Sequence, residues 1–212
     1  ILCPPDVVVE CVGNNQAVFT PSKATASDTC TAVTVNNPGQ RAFNLGVNTV
    51  GYSASDAAGN VATCSAKVTV RDTKAPTVSS AGGGYAQTLL GNDHSLFNVD
   101  VVRDCQLAIA DTCAGAINPA NAKVTITCVT SDEDVVGVDS GNTQPDIVVT
   151  SAQTVQLRNE RENGGDGRVY HINFTVKDPT GNTGTGVCNV RAPISGGNPA
   201  VVDSGVKYTV CK

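Results

Sequence analysis

The sequence contains no Met and no Trp, only four Phe, four Tyr and two His, and little Leu (7) or Glu (4). That scarcity of good helix formers excludes a helical bundle or coiled coil. No apolar run approaches the roughly 18 to 20 residues that cross a bilayer as a helix, so no membrane span is expected in this portion. An excess of positive charge is also missing. With 14 Lys and Arg against 19 Asp and Glu, the net charge is −5, which argues against the phosphate backbone of a nucleic acid as a partner. No two cysteines sit as Cys-x-x-Cys, and the closest spacings are eight residues, at Cys3/Cys11 and Cys105/Cys113. Zinc ribbons and thioredoxin-type redox sites need that close pair and are excluded.

What is present favours strands. Val (32) and Thr (23) dominate the 212 residues, and branched side chains suit a pleated surface. Runs of three to eight residues, most of them alternating, recur at 7–9, 32–35, 47–54, 67–70, 123–128, 146–150, 155–158 and 169–176, bounded by Gly, Asn, Asp or Pro. This is the strand-and-turn pattern of a sandwich. Nine cysteines without metal spacing predict a disulfide framework in an oxidising compartment. A start at Ile1, without Met or a signal-like stretch, fits a processed secreted chain. The odd count leaves one cysteine over, either as a buried thiol or as a bond to another chain.

Two motifs repeat in the same order. Asp28-Thr29-Cys30 precedes Asp56-Ala57-Ala58-Gly59-Asn60 and then Cys64. Asp111-Thr112-Cys113 precedes Asp178-Pro179-Thr180-Gly181-Asn182 and then Cys188. The echo predicts two related units in tandem. The joint falls near Arg71-Asp72-Thr73-Lys74-Ala75-Pro76, giving domains at 1–75 and 76–212.

Cys3-Pro4-Pro5-Asp6-Val7-Val8-Val9-Glu10-Cys11, Phe43-Asn44-Leu45-Gly46-Val47-Asn48-Thr49-Val50 and Ser55-Asp56-Ala57-Ala58-Gly59-Asn60-Val61-Ala62-Thr63-Cys64 closely resemble a HYR (hyalin repeat) domain over residues 1–76. The second half resembles an Ig-like module found beside HYR repeats in secreted bacterial proteins. Its residues Val129-Thr130-Ser131-Asp132-Glu133, Pro145-Asp146-Ile147, Leu157-Arg158-Asn159-Glu160-Arg161 and Gly167-Arg168-Val169-Tyr170 carry that likeness. The expected fold class is all-β, two tandem immunoglobulin-like β-sandwich domains stapled by disulfides. An extra C-terminal strand is expected at 206–210. The resemblance implies a non-catalytic, extracellular or cell-surface adhesive role, with self-association or other matrix and surface proteins as partners. In such a sandwich the first strand can run parallel beside the last. That pairing implies Cys3–Cys64 and leaves Cys11 for Cys30, one of three arrangements open to four cysteines. In the second unit Cys105–Cys113 and Cys128–Cys188 are expected, with Cys211 left for an intermolecular bond.

The densest acidic group is Asp132, Glu133, Asp134, Asp139 and Asp146. Hard cations want six to eight oxygens, which such a loop can supply, so calcium is the one cofactor it suggests, although the role requires none. The competing reading, given more weight, ties these carboxylates to Arg158, Arg161 and Arg168. Enzymatic chemistry finds no residues. No Gly-x-Ser-x-Gly elbow accompanies His94 or His171, and the Asp-Ser-Gly tripeptides at Asp139 and Asp203 read as turns. Self-assembly into a fibre follows from the odd cysteine and the tandem units, since head-to-tail contacts that do not close make filaments. The alternative is an accessory module of a larger secreted enzyme that binds polysaccharide or protein.

Overall fold

A computed structural model of the chain describes residues 1–80, 84–136, 143–162, 165–194 and 201–212. It is all-β and divides into two compact units. Unit 1 comprises Ile1–Lys74 together with Thr112–Gly115, and unit 2 comprises Ala75–Asp111 and Ala116–Lys212. The division at Lys74 lies at the Lys74-Ala75-Pro76 joint. The tetrapeptide, in contrast, departs from a simple 1–75/76–212 partition, because Cys113 within it is bonded to Cys11.

In unit 1 the strands are β1 (Val7–Glu10), β2 (Gln16–Phe19), β3 (Val33–Asn36), β4 (Arg41–Asn44), β5 (Gly46–Asp56) and β6 (Val61–Arg71). They form a four-stranded sheet in the order β1-β6-β5-β3 and a two-stranded sheet β2-β4. The first strand runs parallel to the last, with Val7 opposite Val68. Along β5, Val50, Tyr52 and Ala54 are buried while Val47, Thr49 and Gly51 are exposed. A period of two is what one buried face of a sheet demands. Ala17 and Phe43 from the smaller sheet share one core with Val50, Tyr52, Ala66, Val68 and Val70. Burying each of the three valines contributes roughly 1.5–3 kcal/mol. The Tyr52 hydroxyl stays satisfied inside by donating to the Ser22 carbonyl at 3.0 Å.

Unit 2 contains β7 (Thr77–Ser80), β8 (Gln87–Thr88), β9 (Leu96–Asp100), a single-turn helix α1 (Val101–Asp104), β10 (Leu107–Asp111), β11 (Gly115–Ile117), β12 (Lys123–Ser131), β13 (Ile147–Val149), β14 (Thr154–Arg158), β15 (Arg168–Lys177), β16 (Thr183–Ala192) and β17 (Tyr208–Cys211). The main sheet has the order β17-β12-β15-β16-β8, and two three-stranded sheets, β11-β10-β7 and β13-β14-β9, complete the unit. Asp100 caps α1, its carboxylate accepting from the Val102 and Arg103 N–H groups, a partner those orphan donors require. Ile172, Phe174 and Val176 of β15 point into a core that also holds Ile126, Val129, Val155, Leu157 and Val190. Phe174 lies across Gly186 of β16, where an added Cβ would sit 2.5 Å from its ring. At Gly184 an added Cβ would strike the Pro76 carbonyl oxygen.

Candidate functional site

The disulfides follow from strand placement. Parallel pairing of β1 with β6 sets the N-terminus alongside the last strand, and Cys3 is bonded to Cys64 with a Cα–Cα distance of 5.9 Å. Cys11, which follows β1 directly, is bonded to Cys113 and not to Cys30. Cys105, at the end of α1, joins Cys188 across the core instead of its near neighbour Cys113. Strand β17 runs antiparallel to β12 with Cys211 directly opposite Cys128, and these two are bonded, so Cys128 does not take Cys188. Cys211 is therefore consumed inside the chain. Among the described residues the unpaired cysteine is Cys30, and it is exposed.

The two sequence repeats build the same local structure. Asp56 Oδ1 accepts from the Ala58 and Asn60 N–H groups while Asn60 Nδ2 donates to its Oδ2. Asp178 Oδ1 accepts from the N–H groups of Thr180, Gly181 and Asn182, and Asn182 Nδ2 donates to its Oδ2. Both turns place glycine at positive φ, 89° at Gly59 and 99° at Gly181, where a Cβ is strained. Hydrogen bonds from Thr180, Asn182 and Gly181 hold the Asp178 carboxyl below its ordinary range against the opposing effect of burial. The tripeptide aspartates lie beside these turns in both cases. Asp28 and Asp56 line one cavity of about 150 Å³, and the carboxylates of Asp111 and Asp178 come within 4.8 Å. Asp28 Oδ1 accepts from the N–H groups of Cys30 and Thr31 at 2.7 and 2.9 Å, which fixes the Cys30 backbone at the surface.

The acidic group of unit 2 closes on a guanidinium. Asp132, Glu133 and Asp146 are buried, Asp134 is exposed, and Asp139 lies outside the described residues. Arg168, 0% exposed, donates through Nε to Glu133 Oε2 at 2.8 Å and through Nη1 to Asp146 Oδ2 at 2.6 Å. Its remaining donors reach the Tyr170 hydroxyl at 3.0 Å and the Asp134 carbonyl at 3.1 Å. Arg168 thus stands between Glu133 and Asp146, taking one oxygen of each. Asp132 takes no part in the pair, accepting instead from the Val169 N–H at 2.7 Å and the Ser204 N–H at 3.3 Å. Arg158 donates to the carbonyls of His94 and Pro145, and Arg161 to those of Gly91 and Ile194.

Burial pushes the Glu133 and Asp146 carboxyls above the ordinary range, and Arg168 only partly offsets it, because two acids share one guanidinium. Burial works against the charge on Arg168, but Tyr170, Asp146 and Glu133 outweigh it and push the guanidinium up. Desolvation also raises Tyr170. The two histidines, to which the sequence offers no catalytic partner, find acidic ones here. His171 lies between Asn189 Oδ1 at 2.8 Å and Asp203 Oδ2 at 2.9 Å, and His94 Nδ1 lies 3.1 Å from buried Glu160. Neither pairing has a local sequence signal, since their partners are 18 to 66 residues away.

Comparison with known proteins bears on unit 1 first. Residues 3–70 match the HYR domain. No curated protein matches the sequence. Among solved structures, the human mucin-like protocadherin EC1-2 is similar over 88% of this chain and 95% of its own, at 12% identity and a TM-score of 0.38. Protocadherin gamma B2 domains 3–6 are similar at 11% identity and a TM-score of 0.37, over 88% of this chain. Sidekick-1 immunoglobulin domains 1–4 are similar at 10% identity and a TM-score of 0.32, over 90%. The chain spans 45% of the gamma B2 structure and 47% of the Sidekick-1 structure.

Proposed function

We propose that the chain is a non-catalytic extracellular adhesive module, an HYR-like unit followed by an Ig-like module of the kind found in secreted surface proteins, and that it acts by self-association. The HYR match over residues 3–70 is the observation that carries this reading. Four disulfides support an oxidising compartment outside the cell. The buried polar groups support it too. Arg168 donates to one oxygen of Glu133, one of Asp146, the Tyr170 hydroxyl and the Asp134 carbonyl, and Tyr170 donates to the Arg158 carbonyl, which is the arrangement of a structural brace. The outer face of the four-stranded sheet offers Val8, Val47 and Val61, each more than half exposed, as contact surface.

Beads coated with the Cys30→Ser variant test the reading without any thiol chemistry. Aggregation of coated beads in proportion to protein density, and a sedimentation coefficient that rises with concentration, are the expected results. Beads that stay dispersed while the protein sediments as a monomer at every concentration would refute self-association. Retention of the same variant on a polysaccharide column would favour the accessory-module role instead.

A further inference from the structure

The exposed thiol has a counterpart elsewhere in the same chain. Asp28-Thr29-Cys30 and Asp111-Thr112-Cys113 are the same tripeptide, each beside an Asp-x-x-Gly-Asn turn whose Asn donates both its N–H and its Nδ2 to the Asp carboxylate. The second copy is engaged. Cys113 is bonded to Cys11, its carbonyl accepts from the Asn15 N–H at 2.9 Å, and it is 1% exposed. The receiving segment has an unusual backbone. Gly13 has φ 151°, while Asn14 and Asn15 sit at φ 51° and 56°, a left-handed conformation that Asn tolerates better than most residues. The first strand of an HYR-like repeat therefore ends in a cysteine and a shaped turn that together receive an Asp-Thr-Cys tripeptide.

We infer that Cys30 is the donor half of the same joint, and that it forms a disulfide with another HYR-like repeat through a cysteine placed where Cys11 stands in this one. The other eight cysteines of this chain are bonded, so the partner repeat must bring its own first-strand thiol. The inference deepens the adhesive reading, on which it rests only for the oxidising compartment. The chemistry is thiol–disulfide exchange with a low-molecular-weight disulfide such as oxidised glutathione. The Cys30 thiolate attacks it, forming a mixed disulfide and releasing one glutathione. The incoming thiolate then attacks the Cys30 sulfur and expels the second. Two protein thiols are oxidised and one glutathione disulfide is reduced to two thiols.

The protein itself supplies a probe for the missing partner. In Cys113→Ser, Cys11 is freed while Cys30 remains; in the double variant with Cys30→Ser, only Cys11 is free. Incubated in a glutathione redox buffer, the wild-type chain and the double variant are expected to give a 1:1 covalent dimer whose peptide map shows Cys30 bonded to Cys11. Cys113→Ser alone is expected to give a ladder of head-to-tail oligomers that collapses on reduction. Three results would overturn the inference: Cys30–Cys30 dimers as the main product, glutathione adducts alone, or an internal Cys11–Cys30 bond in Cys113→Ser. If circular dichroism shows that the Cys113 variants do not fold, the wild-type chain is instead treated with a peptide of residues 6–16 carrying Cys11 as its thionitrobenzoate disulfide. Release of the chromophore several-fold faster than from a scrambled peptide supports the joint, and equal rates overturn it. The bead assay on Cys30→Ser separates this outcome from the fate of the adhesive reading, since it needs no thiol.

Discussion

Replacing Arg168 by Met tests whether the buried acidic group is a brace. The guanidinium is wholly buried and is shared by Glu133 and Asp146. Met keeps an unbranched apolar stem but ends short of the guanidinium, and it leaves two carboxylates inside with no cation. Breaking a buried pair in this way costs about 3–5 kcal/mol. The loss is expected at neutral pH and should shrink as the pH is lowered toward about 5, because both carboxyls are already pushed up by burial and without Arg168 they bind protons more readily in the folded chain than in the unfolded one. Adding Glu133→Gln and Asp146→Asn to the Met variant removes both uncompensated charges and should restore most of the stability. The assay is urea unfolding at the two pH values in a Tyr52→Phe background, where Tyr85, Tyr170 and Tyr208, all in unit 2, report by fluorescence. A Met variant within about 1 kcal/mol of the parent at pH 7, the size expected of an exposed ion pair, or a triple variant no better than the single one, would refute the reasoning.

Asp178→Ala removes the acceptor of three backbone N–H groups in the turn before β16, at a cost of about 1–3 kcal/mol. Because the Asp178 carboxyl is held below its ordinary value of 3.8, the contribution is present above that value and is lost as the pH falls through the depressed one. Thermal unfolding from pH 7 down to pH 2 should show the parent and the variant converging at the acid end; a constant difference would contradict the assignment. Gly184→Ala drives a methyl group into the Pro76 carbonyl, and relief requires β16 to shift. A loss of about 1–3 kcal/mol or more is expected in denaturant unfolding, whereas alanine at exposed Gly51, with nothing within 4 Å of the added carbon, should be tolerated.

Long-range pairing separates what could be read in the sequence from what could not. The alternation at 47–54 and 169–176 marks β5 and β15 because each has one dry face. Strands β2 and β4 carry no such signal. Gln16–Phe19 and Arg41–Asn44 are four residues each with one buried side chain apiece. The cysteines show the same limit. Parallel β1 and β6 make Cys3–Cys64 a consequence of topology, but Cys211 depends on a register between β12 and β17 that brings it opposite Cys128, 83 residues away. The acidic group was visible as composition. That Arg168 would stand between Glu133 and Asp146 follows from pairing β15 with β12 and from the path of residues 143–147, neither of which spacing reveals.

The disulfide map also sets how far the polypeptide can be drawn out. Between Cys3 and Cys211 the backbone has about 208 links, which fully extended would reach about 730 Å. The crosslinks offer a shorter route, along the eight links from Cys3 to Cys11, across to Cys113, along fifteen links to Cys128, and across to Cys211. That route is about 90 Å at full extension. Tension applied between those two cysteines would therefore fall on β1 and on the segment from 113 to 128, and the rest of the polypeptide would hang slack from it even if every strand came apart. Oxidised, the molecule is an inextensible link of fixed maximum length, whatever its folding stability.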